Sequence, residues 1–158
     1  TSEDKLLARV RHMAKALDCK WIILDHLSIV VSAQDNNDER KAIDAIMTNL
    51  RTLVQELGIG LFLVSHLKRT TGKPHEDGGK ISLSELRGSQ AIAQLSDMVI
   101  GLERNQQDED EDRRNTTTVR VLKNRYAGLT GPACYLKYDK FTGRMGEVAP
   151  PKDLDSDF

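Results

Sequence analysis

Residues 21–25 read Trp21-Ile22-Ile23-Leu24-Asp25, four apolar side chains followed at once by a carboxylate. A short unbroken apolar run is the pattern of a strand buried on both faces, as in a parallel sheet. Gly60-Leu61-Phe62-Leu63-Val64 repeats the pattern and gives way to Ser65-His66. Between the two runs, from Asp38 onward, Ile43, Ile46, Met47, Leu50, Leu53, Val54 and Leu57 recur at helical spacing, and Gly58 closes the stripe. Apolar strands alternating with an amphipathic helix imply α/β architecture with parallel strands. In such sheets the working residues lie just past the C-terminal strand ends. That rule selects Asp25 and His66.

Working outward, Leu6, Leu7, Val10, Met13, Ala14 and Leu17 predict an amphipathic helix over 3–18, with Ser2 as N-cap. Residues 32–37 have loop chemistry. Residues 68–80 form a long polar loop with three glycines and one proline, and long loops in compact domains are usually functional. Ser84 is expected to cap a helix running to about Leu95. Asp97 to Leu102 reads as a third buried strand, and the five acids Asp108 to Asp112 as an exposed linker. Thr116 to Leu122 alternates like a strand, and 133–138 with 145–148 suit a hairpin around Lys140-Phe141-Thr142-Gly143. The expected organisation is one folded part over 1–148 and an acidic, disordered tail over 149–158.

The chain has 158 residues, enough for one domain or a large piece of one. A 39% hydrophobic and 30% charged balance is that of an ordinary globular protein. No apolar run is long enough to predict a membrane-spanning helix, and Thr1-Ser2-Glu3-Asp4-Lys5 is too charged for a signal peptide. Cys19 and Cys134 are far apart with no Cys-x-x-Cys pair, which argues against zinc and for a reducing compartment. The formal net charge of -1 does not by itself point to nucleic acid.

Four positions carry candidate chemistry, each with a plainer alternative. Asp25 suits a Walker B carboxylate that orients Mg²⁺ beside phosphates, or a cap for the following loop. His66 suits a γ-phosphate sensor, or a structural histidine bonded to neighbouring backbone. Lys68, Arg69, Lys73 and Lys80, set among glycines, suit contact with several nucleic-acid phosphates, or a solvated loop tempered by Glu76 and Asp77. Lys123 and Arg125 suit cations that reach a neighbouring subunit's γ-phosphate, or an ordinary strand end.

The order of the motifs is more specific than any one of them. Ile22-Ile23-Leu24-Asp25-His26, Val64-Ser65-His66-Leu67-Lys68, Leu86-Arg87-Gly88-Ser89, Gln94-Leu95-Ser96-Asp97, Leu102-Glu103-Arg104-Asn105 and Lys123-Asn124-Arg125-Tyr126-Ala127-Gly128 follow in succession. This series resembles the DnaB-like hexameric replicative helicases, and most of all the helicase half of the primase-helicases of short-tailed phages. The resemblance runs from about Leu6 to Val148 and extends to the tail. It implies a partial RecA-like P-loop NTPase core with a mostly parallel sheet and a C-terminal hairpin. It also implies NTP hydrolysis, with ATP or dTTP and Mg²⁺, coupled to 5′→3′ movement on single-stranded DNA and unwinding at the replication fork. Asp25 would hold Mg²⁺, His66 would sense the γ-phosphate, and Lys123 and Arg125 would act on the adjacent subunit of a hexameric or heptameric ring. Arg104 and Tyr138 would sandwich the nucleotide base. Lys68, Arg69, Lys73, Arg87 and Gly88 would serve DNA, and Gln94 the coupling of DNA to nucleotide. The tail, with Asp155, Asp157 and Phe158, would dock the replicative polymerase and compete with single-strand-binding protein. The implied location is cytoplasmic, the host's if phage-encoded.

Two departures qualify this. Ala93 stands where the family pattern has a basic residue, and no Gly-x-x-x-x-Gly-Lys-Ser/Thr occurs. The phosphate-cradling loop and the strand bearing the family's catalytic Glu would then lie upstream of Thr1, and the isolated chain is expected to be inactive. Two other readings are a RecA-like DNA-dependent ATPase that is not a helicase, a recombinase or clock-type protein, and a non-catalytic module that binds DNA and polymerase.

Overall fold

The computed structural model describes residues 2–27, 36–68, 72–86 and 90–151. These fall into two compact units, one made of residues 1–68 with 86–96, the other of 69–85 with 97–158.

The first unit begins with α1 (Ser2–Lys15), which carries Glu3 and Asp4 in its first turn and His12 and Lys15 in its last, charges that complement the helix dipole. It is shorter at its C-terminal end than its apolar spacing implies, and Ser2 is its first helical residue rather than a flanking cap. Strand β1 (Trp21–Leu24) follows, then α2 (Asn36–Leu57) and β2 (Gly60–Leu63). Gly58, at φ 61°, ends α2, and the Ile59 amide reaches back to the Val54 carbonyl at 3.3 Å. Only glycine enters that left-handed conformation without strain. The apolar stripe of α2 is buried as its spacing predicts: Ile43, Ile46, Met47, Leu50 and Leu53 join Val10, Ile22 and Leu27 in the core. Each such side chain contributes about 1.5–3 kcal/mol through its burial. Helix α1 lies on α2, with Asn49 Nδ2 donating to Glu3 Oε1 at 2.7 Å.

β1 and β2 pair in parallel, Trp21 opposite Gly60 through Leu24 opposite Leu63. The expectation of two covered faces fails, however. Ile22 is buried, whereas Trp21 and Ile23 are 69% and 72% exposed. An apolar run records that both faces avoid water, not that one stretch of chain covers both. Trp21 and Phe62 instead pair their rings on the bare face, centroids 5.6 Å apart.

The region after Ile81 also differs from its sequence reading. A 3₁₀ turn spans Leu83–Glu85 and a separate helix α3 spans Gln90–Leu95, where one helix from Ser84 was expected. Ser84 is inside the turn, and the Ser82 amide is bonded by Glu85 Oε2 at 2.7 Å.

In the second unit, β3 (Met98–Glu103), β4 (Thr116–Asn124), β5 (Gly131–Asp139) and β6 (Arg144–Val148) form an antiparallel sheet in sequence order. β3 is antiparallel to β4, and Met98, Ile100 and Leu102 on one of its faces are exposed, so within this unit it is not buried on both faces. The hairpin falls where expected, with Gly143 at φ 68° in its turn. The acidic stretch is exposed at residues 109–112, as expected, and is also locally structured: Asp110 caps a short helix α4 (Glu111–Arg114) by accepting from the Asp112 and Arg113 amides. The tail beyond residue 151 lies outside the described residues. No helix among them is long and apolar enough to cross a membrane.

Leu50 is 2% exposed at the centre of the first unit. Leu50→Ala should cost about 2–5 kcal/mol, read as a lower urea midpoint with an unchanged m-value.

Candidate functional site

Parallel pairing brings the C-terminal ends of β1 and β2 side by side. The Val64 amide bonds the Leu24 carbonyl at 2.9 Å, and the Leu27 amide bonds the Val64 carbonyl at 3.1 Å. Buried Leu27 pins this corner beneath the exposed Asp25. Asp25 and His66 therefore stand at one edge of the first unit, as strand-end logic selects. His26 joins them: its ring lies 4.2 Å from that of His66, tilted by 58°. His26 Nδ1 is buried and has no hydrogen-bond partner among the described residues. His26 was not singled out from sequence; its place directly after Asp25 was the available signal.

The two cations of β4 belong to the second unit. Arg125 lies just past the strand, its amide bonded to the Asp97 carbonyl at 2.9 Å and its guanidinium 3.2 Å from Asp97 Oδ1. Asn124 shapes the turn, its Oδ1 accepting the Tyr126 and Ala127 amides at 3.1 Å each. Lys123 pairs with Val99 across the ladder. Asp97, the last residue of the Gln94-Leu95-Ser96-Asp97 motif, is thus the residue that parks Arg125.

Arg104 and Tyr138 converge on the start of β4. Arg104 Nε donates to the Arg114 carbonyl at 2.7 Å and its Nη2 lies 3.5 Å from Asn115 Oδ1. The Tyr138 amide donates to the Asn115 carbonyl at 3.2 Å. β4 runs between β3 and β5, so the Arg104 side chain and the Tyr138 backbone meet Asn115 from opposite sides. Both are exposed.

Residues 72–80 of the basic loop are more structured than their composition implies. The Pro74 carbonyl accepts the Asp77 and Gly79 amides, and a side chain at Gly79 would collide with the Lys73 carbonyl. The loop then clamps onto the end of β3: the Gln106 amide bonds the Glu76 carbonyl at 2.7 Å, and the Ile81 amide bonds Glu103 Oε1 at 2.8 Å. Glu103 also takes Arg120 Nε on both oxygens at 2.9 Å, a charge-assisted pair under cover. A cleft of about 610 Å³ opens here, lined among others by Lys73, Lys80, Glu103, Arg104, Arg120 and Tyr135. Lys68 ends a stretch of the first unit and Lys73 belongs to the second. Gln94 is exposed on α3. Arg69, Arg87, Gly88, Asp155, Asp157 and Phe158 lie outside the described residues.

The model of the DnaB-like helicase C-terminal domain matches residues 1–145. This chain belongs to that family. The domain is RecA-like, which agrees with the parallel β1–β2 pair beneath its helices and the C-terminal hairpin. A DNA helicase/primase of Enterobacteria phage T3 is 48% identical over 141 residues, covering 89% of this chain and 24% of that protein. The replicative DNA helicase DnaB of Treponema pallidum is 31% identical over 126 residues, covering 80% of this chain and 26% of the relative. That of Leifsonia xyli subsp. xyli is 25% identical over 150 residues, covering 92% and 31%. The DnaB-family chain thus spans about a quarter to a third of these relatives.

Next to Tyr138, Asp139 holds the β5–β6 turn. The Phe141 amide, then the Thr142 hydroxyl and amide, keep its carboxyl below the usual 3.8. A depressed folded value gives stability that is complete above the unfolded value and fades as pH falls through the folded one. Asp139→Asn should therefore lower the melting temperature at neutral pH. Its deficit should shrink on acidification below 3.8, checked by paired melts across pH.

Proposed function

We propose that this chain is part of a replicative ring helicase, in which NTP hydrolysis drives 5′→3′ movement on single-stranded DNA and separation of the duplex at the fork. The observation that carries the reading is the placement of Asp25 and His66 at adjacent C-terminal ends of paired parallel strands, in a chain of the DnaB-like family. In this reading residues 1–148 are the C-terminal part of the motor domain and 149–158 a partner-binding tail.

The exposed Asp25 carboxylate fits Mg²⁺, which takes one or two carboxylates and draws its other ligands from phosphate and water. When bound, Mg²⁺ neutralises charge developing on the phosphates of ATP or dTTP. His66 sits within reach of a phosphate held at the same edge and reads its presence, with the His26 ring restricting its orientation. Arg125 and Lys123 stabilise the transferred phosphoryl group of the adjacent subunit's nucleotide in a hexameric or heptameric ring. Asp97 holds the Arg125 guanidinium at the strand end before that encounter. The faces of Arg104 and Tyr138 take the nucleotide base. Lys68, Arg69 and Lys73, with Arg87 and Gly88, follow the single-strand backbone, and Gln94 links that contact to the nucleotide. The tail residues Asp155, Asp157 and Phe158 bind the replicative polymerase and compete with single-strand-binding protein.

In the longer ring-forming protein, Arg125→Ala should reduce DNA-stimulated NTP hydrolysis by about 10³-fold or more, as loss of an arginine finger does. Undiminished turnover would exclude the finger role. The purified 158-residue chain should hydrolyse NTP at the uncatalysed background, measured by phosphate release.

A further inference from the structure

One carboxylate ties together the turn from Asn105 to Asn115. Asp108 is 16% exposed. Its Oδ1 accepts Arg113 Nε and the Asp110 amide, each at 3.0 Å. Its Oδ2 accepts Asn105 Nδ2 at 3.1 Å, and its carbonyl accepts the Arg114 guanidinium at 3.0 Å. The Asp110 amide holds this carboxyl below the ordinary carboxylate range against the opposing effect of desolvation, with Arg113 and Asn105 adding to the lowering. Asp108 is therefore charged, and all of these acceptor positions are filled at neutral pH. Two of the bonds lead to the same guanidinium. Asn105 directly follows Arg104 in the chain, and the Arg114 carbonyl is the acceptor for Arg104 Nε at 2.7 Å.

We propose that Asp108 is the positioning residue of the nucleotide-base site. It fixes the end of α4 against the end of β3, so that the Arg104 guanidinium is held at Asn115, the residue whose carbonyl also takes the Tyr138 amide, before a nucleotide arrives. This rests on the reading of Arg104 and Tyr138 as the base sandwich. The geometry also defines how a base is met. Arg104 Nε and Nη2 are turned toward Arg114 and Asn115. What remains to a ligand is the flat face of the guanidinium together with Nη1, and a base stacks on such a face whatever its donor and acceptor pattern. An arginine already restrained in this pose loses less freedom on binding than a mobile one. Asp108 therefore acts on nucleotide affinity, similarly for purine and pyrimidine triphosphates, and not on the chemical step.

The test uses the full-length ring protein with Asp108→Ala, Asp108→Asn, Arg104→Ala and the Asp108→Ala/Arg104→Ala double variant. Asp108→Ala should raise KM for each NTP by about threefold to tenfold, the size expected for a weakened cation–π contact, with kcat retained. Asp108→Asn keeps the volume and one acceptor oxygen and should show a smaller rise of the same kind. It covers the case in which the alanine variant does not fold. The double variant should match Arg104→Ala alone, because Asp108 acts only through Arg104. Inhibition by inorganic tripolyphosphate, which has no base, should be unchanged by Asp108→Ala. If Arg104→Ala raises KM and the Asp108 variants do not, the positioning role is wrong while the base sandwich stands. An equal further rise in the Arg104→Ala background overturns it too. If Arg104→Ala leaves KM unmoved, the base-sandwich reading itself falls.

Discussion

The parallel hydrogen-bond ladder between β1 and β2 is the constraint on which the first unit depends. Parallel pairing requires a crossover, and α2 lies on it, its apolar stripe buried in the core of the first unit. The same pairing forces both strands to end at one edge. Asp25 and His66 are separated by a 22-residue helix and a strand, yet they meet there because the register leaves no other arrangement. The bonds from Val64 to Leu24 and from Leu27 to Val64 extend the pairing beyond the strands and fix the corner on which these side chains sit.

The second unit is organised differently. Its antiparallel ladder places Arg104, just past the end of β3, and Tyr138, on β5, on either side of Asn115, which directly precedes β4. Buried and half-buried charge pairs carry the local order: Glu103 with Arg120 beneath the Ile81 amide, and Asp108 with Arg113 in the turn. Such pairs contribute little net stability when isolated and most when every oxygen is bonded, as it is on Glu103 and Asp108. Their effect here is geometric. They decide where a strand end and its exposed guanidinium point, and they attach the segment following the basic loop to that same strand end.

Much of the first unit was legible in the sequence because its signals are local and periodic. The apolar runs at 21–24 and 60–64, the stripe of α2 and the Gly58 stop each state their own structure. The order of short motifs carried the family. The covering of the strands was not legible, because a run such as Trp21-Ile22-Ile23-Leu24 has the same hydrophobicity whether one face or two are buried. The direction of β3 was hidden for a related reason: strand sequence does not encode the sense of its partner. The acids at 108–112 read as an exposed linker because charge counts toward exposure, and 109–112 are exposed; what the charge count does not show is that Asp108 is half-buried and bonded to an amide and a guanidinium.

By itself, then, the sequence determined an α/β chain with chemistry at two strand ends and the motif order of the DnaB-like family. Hydrophobic period and strand-end polarity depend only on near neighbours, so they survive in a linear text. The tertiary structure alone decided that His26 stands against His66, that Asp97 parks Arg125, and that Asp108 and Asn115 frame Arg104. Those relations join residues through the ladder register and the bonding of individual oxygens, which exist only once the strands are paired.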